Sequence, residues 1–141
     1  MSLAAGRIKE FLSIVLFTAF LLSCDISIPV QATDFDDAHA WVVLNIAYEA
    51  DTYDEWQTPD ETIERGAGDC EDSAILLSAM CREIGISTSL FIIRMPDVYH
   101  MVVEHDGSWY SGTELGTMPI NEESIVFSFT LNEALIVAAI K

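Results

Sequence analysis

The chain has 141 residues, of which 23 are acidic and six are basic, and its formal net charge at pH 7 is −17. This length supports one domain. The excess of negative charge argues against nucleic acid or an anionic membrane surface as a partner. The charge is compatible with a solvated exported protein, with a cation-rich environment or with basic substrates, and composition alone does not separate these three.

The N-terminal segment has the pattern of an export signal. Arg7 and Lys9 precede an apolar run over residues 11–22, which is too short for a comfortable transmembrane span. The stretch Leu21-Leu22-Ser23-Cys24 resembles a bacterial lipobox, in which cleavage before the cysteine leaves that cysteine lipid-modified. A smaller residue is more usual in the position of Leu22. Ordinary secretion with cleavage after Ala32 and an uncleaved anchor are the two alternatives.

These patterns predict a domain organisation and a location. We expect a lipoprotein-type signal peptide over residues 1–23, a tether over 24–33 and one domain over 34–141. All three interpretations of the signal export the chain. The protein is predicted to be attached to the outer face of the cell membrane by a lipid on Cys24, and otherwise to be periplasmic or secreted.

The domain begins with three predicted helices. Thr33 or Asp34 caps the first, which runs to about residue 51, and a short second helix over 60–64 follows Pro59. Asp69 caps the third helix, with Asp72 three residues later as in a capping box, and Gly85 ends it. Extended patterns then predict strands over residues 87–95, 98–104, 108–113 and 125–130, before a last helix over 131–140. Helices followed by an antiparallel meander indicate the α+β class.

Cys70 stands in the first turn of the third predicted helix, directly after the turn Gly66-Ala67-Gly68 and the cap Asp69. Unpaired N–H groups and the positive end of the helix dipole favour the thiolate at such a position. Cys81 lies on the same predicted helix, about 16 Å away at 1.5 Å per residue, which is too far for a disulfide. Cys70 is therefore predicted to be a free functional thiol rather than a small buried hydrophobic residue.

A thiolate nucleophile needs a general base, and the chain offers three histidines. His39 lies on the first predicted helix and is expected to be a surface or packing residue, whereas His105 lies in an exposed turn. His100 lies within a predicted strand, where an imidazole without a partner would be costly to bury. We therefore predict that His100 is the base that serves Cys70.

Glu114 is the candidate that orients His100, and its position depends on the hairpin register. A two-residue turn at Asp106-Gly107 pairs His100 with Thr113 and turns Glu114 away from it. A three-residue loop pairs His100 with Gly112 and makes Glu114 a diagonal neighbour within reach. Both loops are compatible with the sequence. A triad requires the three-residue loop, so that register is a prediction.

Four segments of the sequence resemble the transglutaminase-like superfamily, and in particular its bacterial and archaeal cysteine peptidases, over about residues 40–115. They are Trp56-Gln57-Thr58-Pro59-Asp60-Glu61-Thr62, Gly66-Ala67-Gly68-Asp69-Cys70-Glu71-Asp72-Ser73-Ala74, Gly85-Ile86 and His100. The resemblance implies a papain-like α+β core, with N-terminal helices and the nucleophile helix packed on a small antiparallel sheet. It also implies that Cys70 is the nucleophile, His100 the general base and acid, and Glu114 the residue that orients His100. The family more often has Asp in this third place, shortly after a tryptophan such as Trp109, so Glu114 is a departure.

The resemblance further implies an exported cysteine hydrolase that cleaves protein or peptide amide bonds through a thioester acyl-enzyme. The backbone N–H of Cys70 is the natural oxyanion donor, with Gln57 or Trp56 as an additional donor. Some exported relatives bind calcium through acids beside the nucleophile, which points to Asp69 and Glu71, and no other cofactor is implied.

Two alternative functions remain open. The same residues could transfer the acyl group to an amine, as a transglutaminase does, or the chain could be a non-catalytic binding module that keeps the fold. The expected partner is a protein or peptide substrate. Contact with a membrane is expected only through the lipid or signal anchor, and the oligomeric state is left open.

Overall fold

The structure is a computed structural model that describes residues 31–140. Within this range the elements follow the order α1 (Phe35–Asn45), β1 (Ala47–Tyr48), α2 (Pro59–Arg65), β2 (Ala67–Gly68), α3 (Cys70–Glu83), β3 (Ser89–Arg94), β4 (Tyr99–His105), β5 (Ser108–Ser111), a 3₁₀ turn (Glu122–Ser124), β6 (Ile125–Phe129) and α4 (Leu131–Ala139). The predicted α+β class is confirmed.

The predicted signal peptide, the lipid site at Cys24 and most of the tether lie outside the described residues. At the end of the predicted tether, Ala32 packs against the core and the hydroxyl of Thr33 donates to Asp37 at 2.7 Å. Across residues 31–140, none of the helices combines the length and the apolar character needed to cross a bilayer.

The sheet has four antiparallel strands in the order β5-β4-β3-β6, and β1 and β2 form a separate parallel pair. Helix α3 is the centre of the core, because every residue from 72 to 81 is buried. It packs against α1, α2, α4 and the sheet.

The helix caps follow the sequence closely. Asp34 caps α1, while Thr58 with Glu61 and Asp69 with Asp72 form capping boxes at α2 and α3. The predicted end of α1 near residue 51 is wrong. The helix stops at Asn45, because the next residues pair with β2 through Ala47 and Tyr48.

The hairpin between β4 and β5 closes with a two-residue turn at Asp106 and Gly107, because His105 pairs with Ser108. Both turn residues have positive φ, 48° and 75°, which matches the twist of the flanking strands. The prediction of a three-residue loop is therefore wrong. Strand β5 ends at Ser111, and the chain bends away from the sheet over residues 112–116.

Candidate active site

A left-handed glycine and one close backbone approach place Cys70 at the first position of α3. Gly66 ends α2 in the left-handed conformation, with φ of 66°, and lets the chain reverse into β2. Gly68 then passes so near α3 that an added Cβ would lie 2.6 Å from Cβ of Asp72. Asp69 caps the helix by accepting from the N–H groups of Glu71 and Asp72. The thiol therefore projects from a fixed helix end.

The thiol of Cys70 is only 8% exposed and donates to Oε2 of Glu71 at 3.0 Å. Burial and, after it, the charge of Glu71 raise the pKa of Cys70 to about 12, although the backbone N–H of Met101 stabilises the thiolate. The sequence argument considered the helix N-terminus alone, which favours the thiolate. In this arrangement burial and the adjacent carboxylate outweigh the helix, so the resting cysteine is a neutral thiol.

His100 lies near the start of β4 and is half-buried. Its Nε2 is 3.1 Å from Oγ of Ser111, and burial lowers the pKa of the imidazole. The charge of Glu114 acts in the opposite direction and raises that pKa. Glu114 itself is exposed, and no hydrogen bond joins it to His100 in the described part of the chain.

Cys70 and His100 line the same open cleft, which has a volume of about 750 Å³. Trp56 also lines it, whereas neither Gln57 nor Glu114 does. Acidic, aromatic and aliphatic side chains form most of the remaining wall: Tyr48, Asp51, Tyr53, Asp54, Asp69, Glu71, Ile92, Val98, Tyr99, Val126 and Phe127. The structure thus brings the predicted nucleophile and base to one cleft and leaves two other predicted residues outside its wall.

Gln57, the predicted oxyanion donor, is hydrogen-bonded to the buried Asp72. Its backbone N–H donates to Oδ1 of Asp72 at 2.7 Å, and its side-chain Nε2 donates to Oδ2 of Asp72 at 2.7 Å. The backbone N–H of Asp69 donates to the same carboxylate at 3.2 Å. Burial raises the pKa of Asp72 to about 6 despite these donors. Gln57 therefore ties the loop before α2 to the first turn of α3.

The acids beside Cys70 carry unbalanced negative charge. Burial, and after it the neighbouring carboxyl of Glu71, raise the pKa of Asp69 to about 7, and Asp51 adds to the effect. Carboxylate oxygens are suitable ligands for calcium. Among residues 31–140, however, no three His, Cys, Asp or Glu side chains form a group that could hold a metal ion. Within the described residues, Asp69 and Glu71 therefore do not belong to a cluster of three such side chains.

Two residues near His100, Ser111 and Thr113, were not identified as site residues from the sequence. Ser111 contacts His100 through its hydroxyl and accepts from Nε2 of His39 through its carbonyl, at 2.7 Å. Thr113 contacts the Ser111 hydroxyl through its own hydroxyl at 2.8 Å. His39 is 4% exposed, so it is a packing residue and not a surface one. The two-residue hairpin register was the sequence feature that could have identified Ser111, because it places Ser111 and His100 on the same face of the sheet.

An α+β fold in which a cysteine opens a buried helix and shares a cleft with a strand histidine is the architecture of the transglutaminase-like proteins. A model of that family, the Transglutaminase-like superfamily, matches residues 30–111, and the chain belongs to it. The matched residues include Cys70 and His100 and end before Glu114.

Solved structures agree with this fold. Legionella pneumophila LapG and its EGTA-treated form each superimpose with a TM-score of 0.57 at 20% identity, over 68% of this chain. The match spans 61% of the EGTA-treated chain and 63% of the other, so this chain covers about three fifths of either. No match is found among curated proteins.

Proposed function

We propose that the protein is an exported cysteine hydrolase that cleaves protein or peptide amide bonds through a thioester. The observation that carries the proposal is the shared cleft of Cys70 and His100, with the cysteine at a helix N-terminus. Membership of the transglutaminase-like superfamily supports the same chemistry. Export is supported by the pattern of residues 1–24.

The reaction begins when the Cys70 thiol turns from Glu71 towards His100. His100 accepts the thiol proton as Sγ attacks the carbonyl carbon, and the carbonyl oxygen becomes an oxyanion. The Cys70 N–H belongs to the first helical turn, has no partner within the helix and donates to that oxyanion. His100 then gives its proton to the leaving amine, and water hydrolyses the thioester. Catalytic hydrogen bonds commonly tighten only when substrate binds.

The remaining candidate residues act either through their charge or through contact with the substrate. Glu114 stabilises the imidazolium by its charge, which is the direction in which it acts on the pKa of His100. Trp56 lines the cleft and is available to the substrate. Gln57 is not retained as an oxyanion donor, because its amide is hydrogen-bonded to the buried Asp72.

Asp69 and Glu71 are proposed as ligands of calcium, and oxygen atoms from the backbone or from water would complete its coordination. The donor chemistry fits, since carboxylate oxygens suit a hard cation, whose charge would offset the burial and the neighbouring Glu71 that raise the pKa of Asp69 to about 7. When bound, the ion would supply positive charge beside the nucleophile. Calcium should raise the unfolding temperature of the chelator-treated protein, and Asp69→Asn should abolish that shift, whereas an equal shift in the variant would reject the site.

A non-catalytic binding module is the second candidate, and the hydrogen bond from Cys70 to Glu71 favours it. Transfer of the acyl group to an amine uses the same residues as hydrolysis. It is the alternative outcome of the same reaction and is separated from hydrolysis by analysing the products.

Alkylation by iodoacetamide across pH, read by peptide mass spectrometry, separates an enzyme from a binding module. We expect Cys70 to be modified at pH 7 and to lose most of this reactivity in His100→Ala, while Cys70→Ser reports background. Cys81 is fully buried on the same helix and is the internal control. Modification of Cys70 only near or above pH 8.5, unaffected by His100→Ala, would support the inert module.

A further inference from the structure

We propose that the hydroxyl of Ser111, and not a carboxylate, holds the imidazole of His100 in its working orientation. Ser111 is 2% exposed and is the hydrogen-bonding partner of His100 Nε2, at 3.1 Å. The role deepens the proposed function, on which it rests. Glu114 keeps its electrostatic part, so the two tasks that one carboxylate usually performs are divided between two residues.

The hairpin register explains why a serine occupies this place. Val102 pairs with Ser111 in the ladder of β4 and β5, and His100 lies two residues before Val102. Because side chains alternate between faces, Ser111 is the diagonal same-face neighbour of His100. A three-residue loop would instead have made Glu114 a diagonal neighbour of His100, on the side away from the turn. The turn at Asp106-Gly107 thus decides which residue reaches the ring.

Two further contacts hold Ser111 in place. Nε2 of His39, on α1, donates to the carbonyl of Ser111 at 2.7 Å. The next residue, Gly112, lies directly on α3, where an added Cβ would come within 2.7 Å of Ser73. The serine is therefore fixed from α1 on one side and from the nucleophile helix on the other. A side chain anchored in this way can set the orientation of its partner.

The role of His100 as base selects the tautomer, because the hydroxyls are satisfied whether Ser111 accepts from Nε2 or donates to it. The Ser111 hydroxyl accepts from the backbone N–H of Thr113 at 3.1 Å and has one further acceptor site and one proton. If Nε2 of His100 donates to this oxygen, the serine proton goes to the Thr113 hydroxyl 2.8 Å away. Every group is then satisfied, and Nδ1 of His100 is free to take the thiol proton. The imidazolium needs the same arrangement, because both of its nitrogens are donors.

The test is ¹⁵N NMR of the full chain labelled at histidine, with His100→Gln used to assign the signals. We expect the Nε2-protonated tautomer in the wild type, a mixture in Ser111→Ala, and recovery in Ser111→Thr. Glu114→Gln should leave the tautomer unchanged and lower the pKa of His100. Ser78→Ala is the matched control, because Ser78 is a buried serine whose hydroxyl has no partner among the described residues.

Alkylation of Cys70 by iodoacetamide at pH 7 is the second readout. We expect it to fall roughly tenfold in Ser111→Ala and to recover in Ser111→Thr, as expected for loss of a positioned base. An unchanged tautomer in Ser111→Ala, or a tautomer that shifts in Glu114→Gln instead, would overturn the assignment. Either result is independent of whether wild-type Cys70 reacts, which is the separate test of the proposed function.

Discussion

Gly112→Ala tests whether the segment after β5 is held against the nucleophile helix. A Cβ at this position would lie 2.7 Å from both the carbonyl carbon and Cβ of Ser73, and 2.9 Å from the backbone nitrogen of Ala74. Carbon atoms prefer about 3.5 to 4.0 Å, and helix backbone cannot yield cheaply. Overpacking of this kind costs about 1 to 3 kcal/mol. The substitution should therefore destabilise the fold and displace Ser111 from His100.

Urea unfolding and Cys70 alkylation at pH 7 measure the two consequences. We expect the free energy of unfolding to fall by about 2 kcal/mol and the alkylation rate to fall with it under native conditions. Gly85→Ala is the control. An alanine at this positive φ costs about 1 kcal/mol of backbone strain, but its Cβ would meet open space. A loss below about 0.5 kcal/mol for Gly112→Ala, with unchanged alkylation, would refute the contact between residue 112 and α3.

Three further predictions concern the acids and the wall of the cleft. Glu71→Gln removes the charge that helps raise the pKa of Cys70, so alkylation at pH 8 should become faster, and an equal or slower rate would contradict this. The pKa values of Asp69 and Asp72 are raised from 3.8 to about 7 and about 6, so the folded state binds protons more tightly than the unfolded state. Their stabilising effect is present below about pH 4 and is lost as pH rises through 6 to 7. Urea unfolding without divalent cations should thus show a free energy of unfolding that is about 2 kcal/mol smaller at pH 8 than at pH 5. This value is discounted for the partial exposure of Asp69. The opposite trend would contradict the burial of these carboxyls. Phe127 is 59% exposed in the cleft wall and is therefore available to a substrate. Phe127→Ala should raise KM roughly five- to thirty-fold, with kcat retained, for peptides selected from a pooled library. Val137→Ala, away from the cleft, should leave KM unchanged.

Local patterns predicted most of the elements. Caps at Asp34, Thr58 and Asp69 define where helices begin, since each side chain satisfies N–H groups a few residues away. The end of α1 could not be predicted in the same way. It stops because Ala47 and Tyr48 pair with Ala67 and Gly68, and a pairing between segments this distant leaves no local periodic signal.

The same distinction between local patterns and contacts of distant segments applies to the candidate site. The motif around Cys70 and the strand position of His100 were sufficient to nominate the two residues that meet in the cleft. Their protonation was not predictable, because it depends on burial and on the hydrogen bond to Glu71. The partner of His100 was missed for a different reason, since the choice between two hairpin loops rests on one residue of register.

The sequence by itself determined the fold class, because helix capping and hydrophobic periodicity act over a few residues, and its motifs carried the resemblance to the family and nominated Cys70 as the nucleophile. Only the tertiary structure decided what surrounds Cys70 and His100. Burial of α3 on all sides sets the charge state of Cys70, and the two-residue turn brings Ser111 rather than Glu114 to the ring of His100. Desolvation and strand register depend on segments that are distant in the chain, so they become fixed only when those segments pack together.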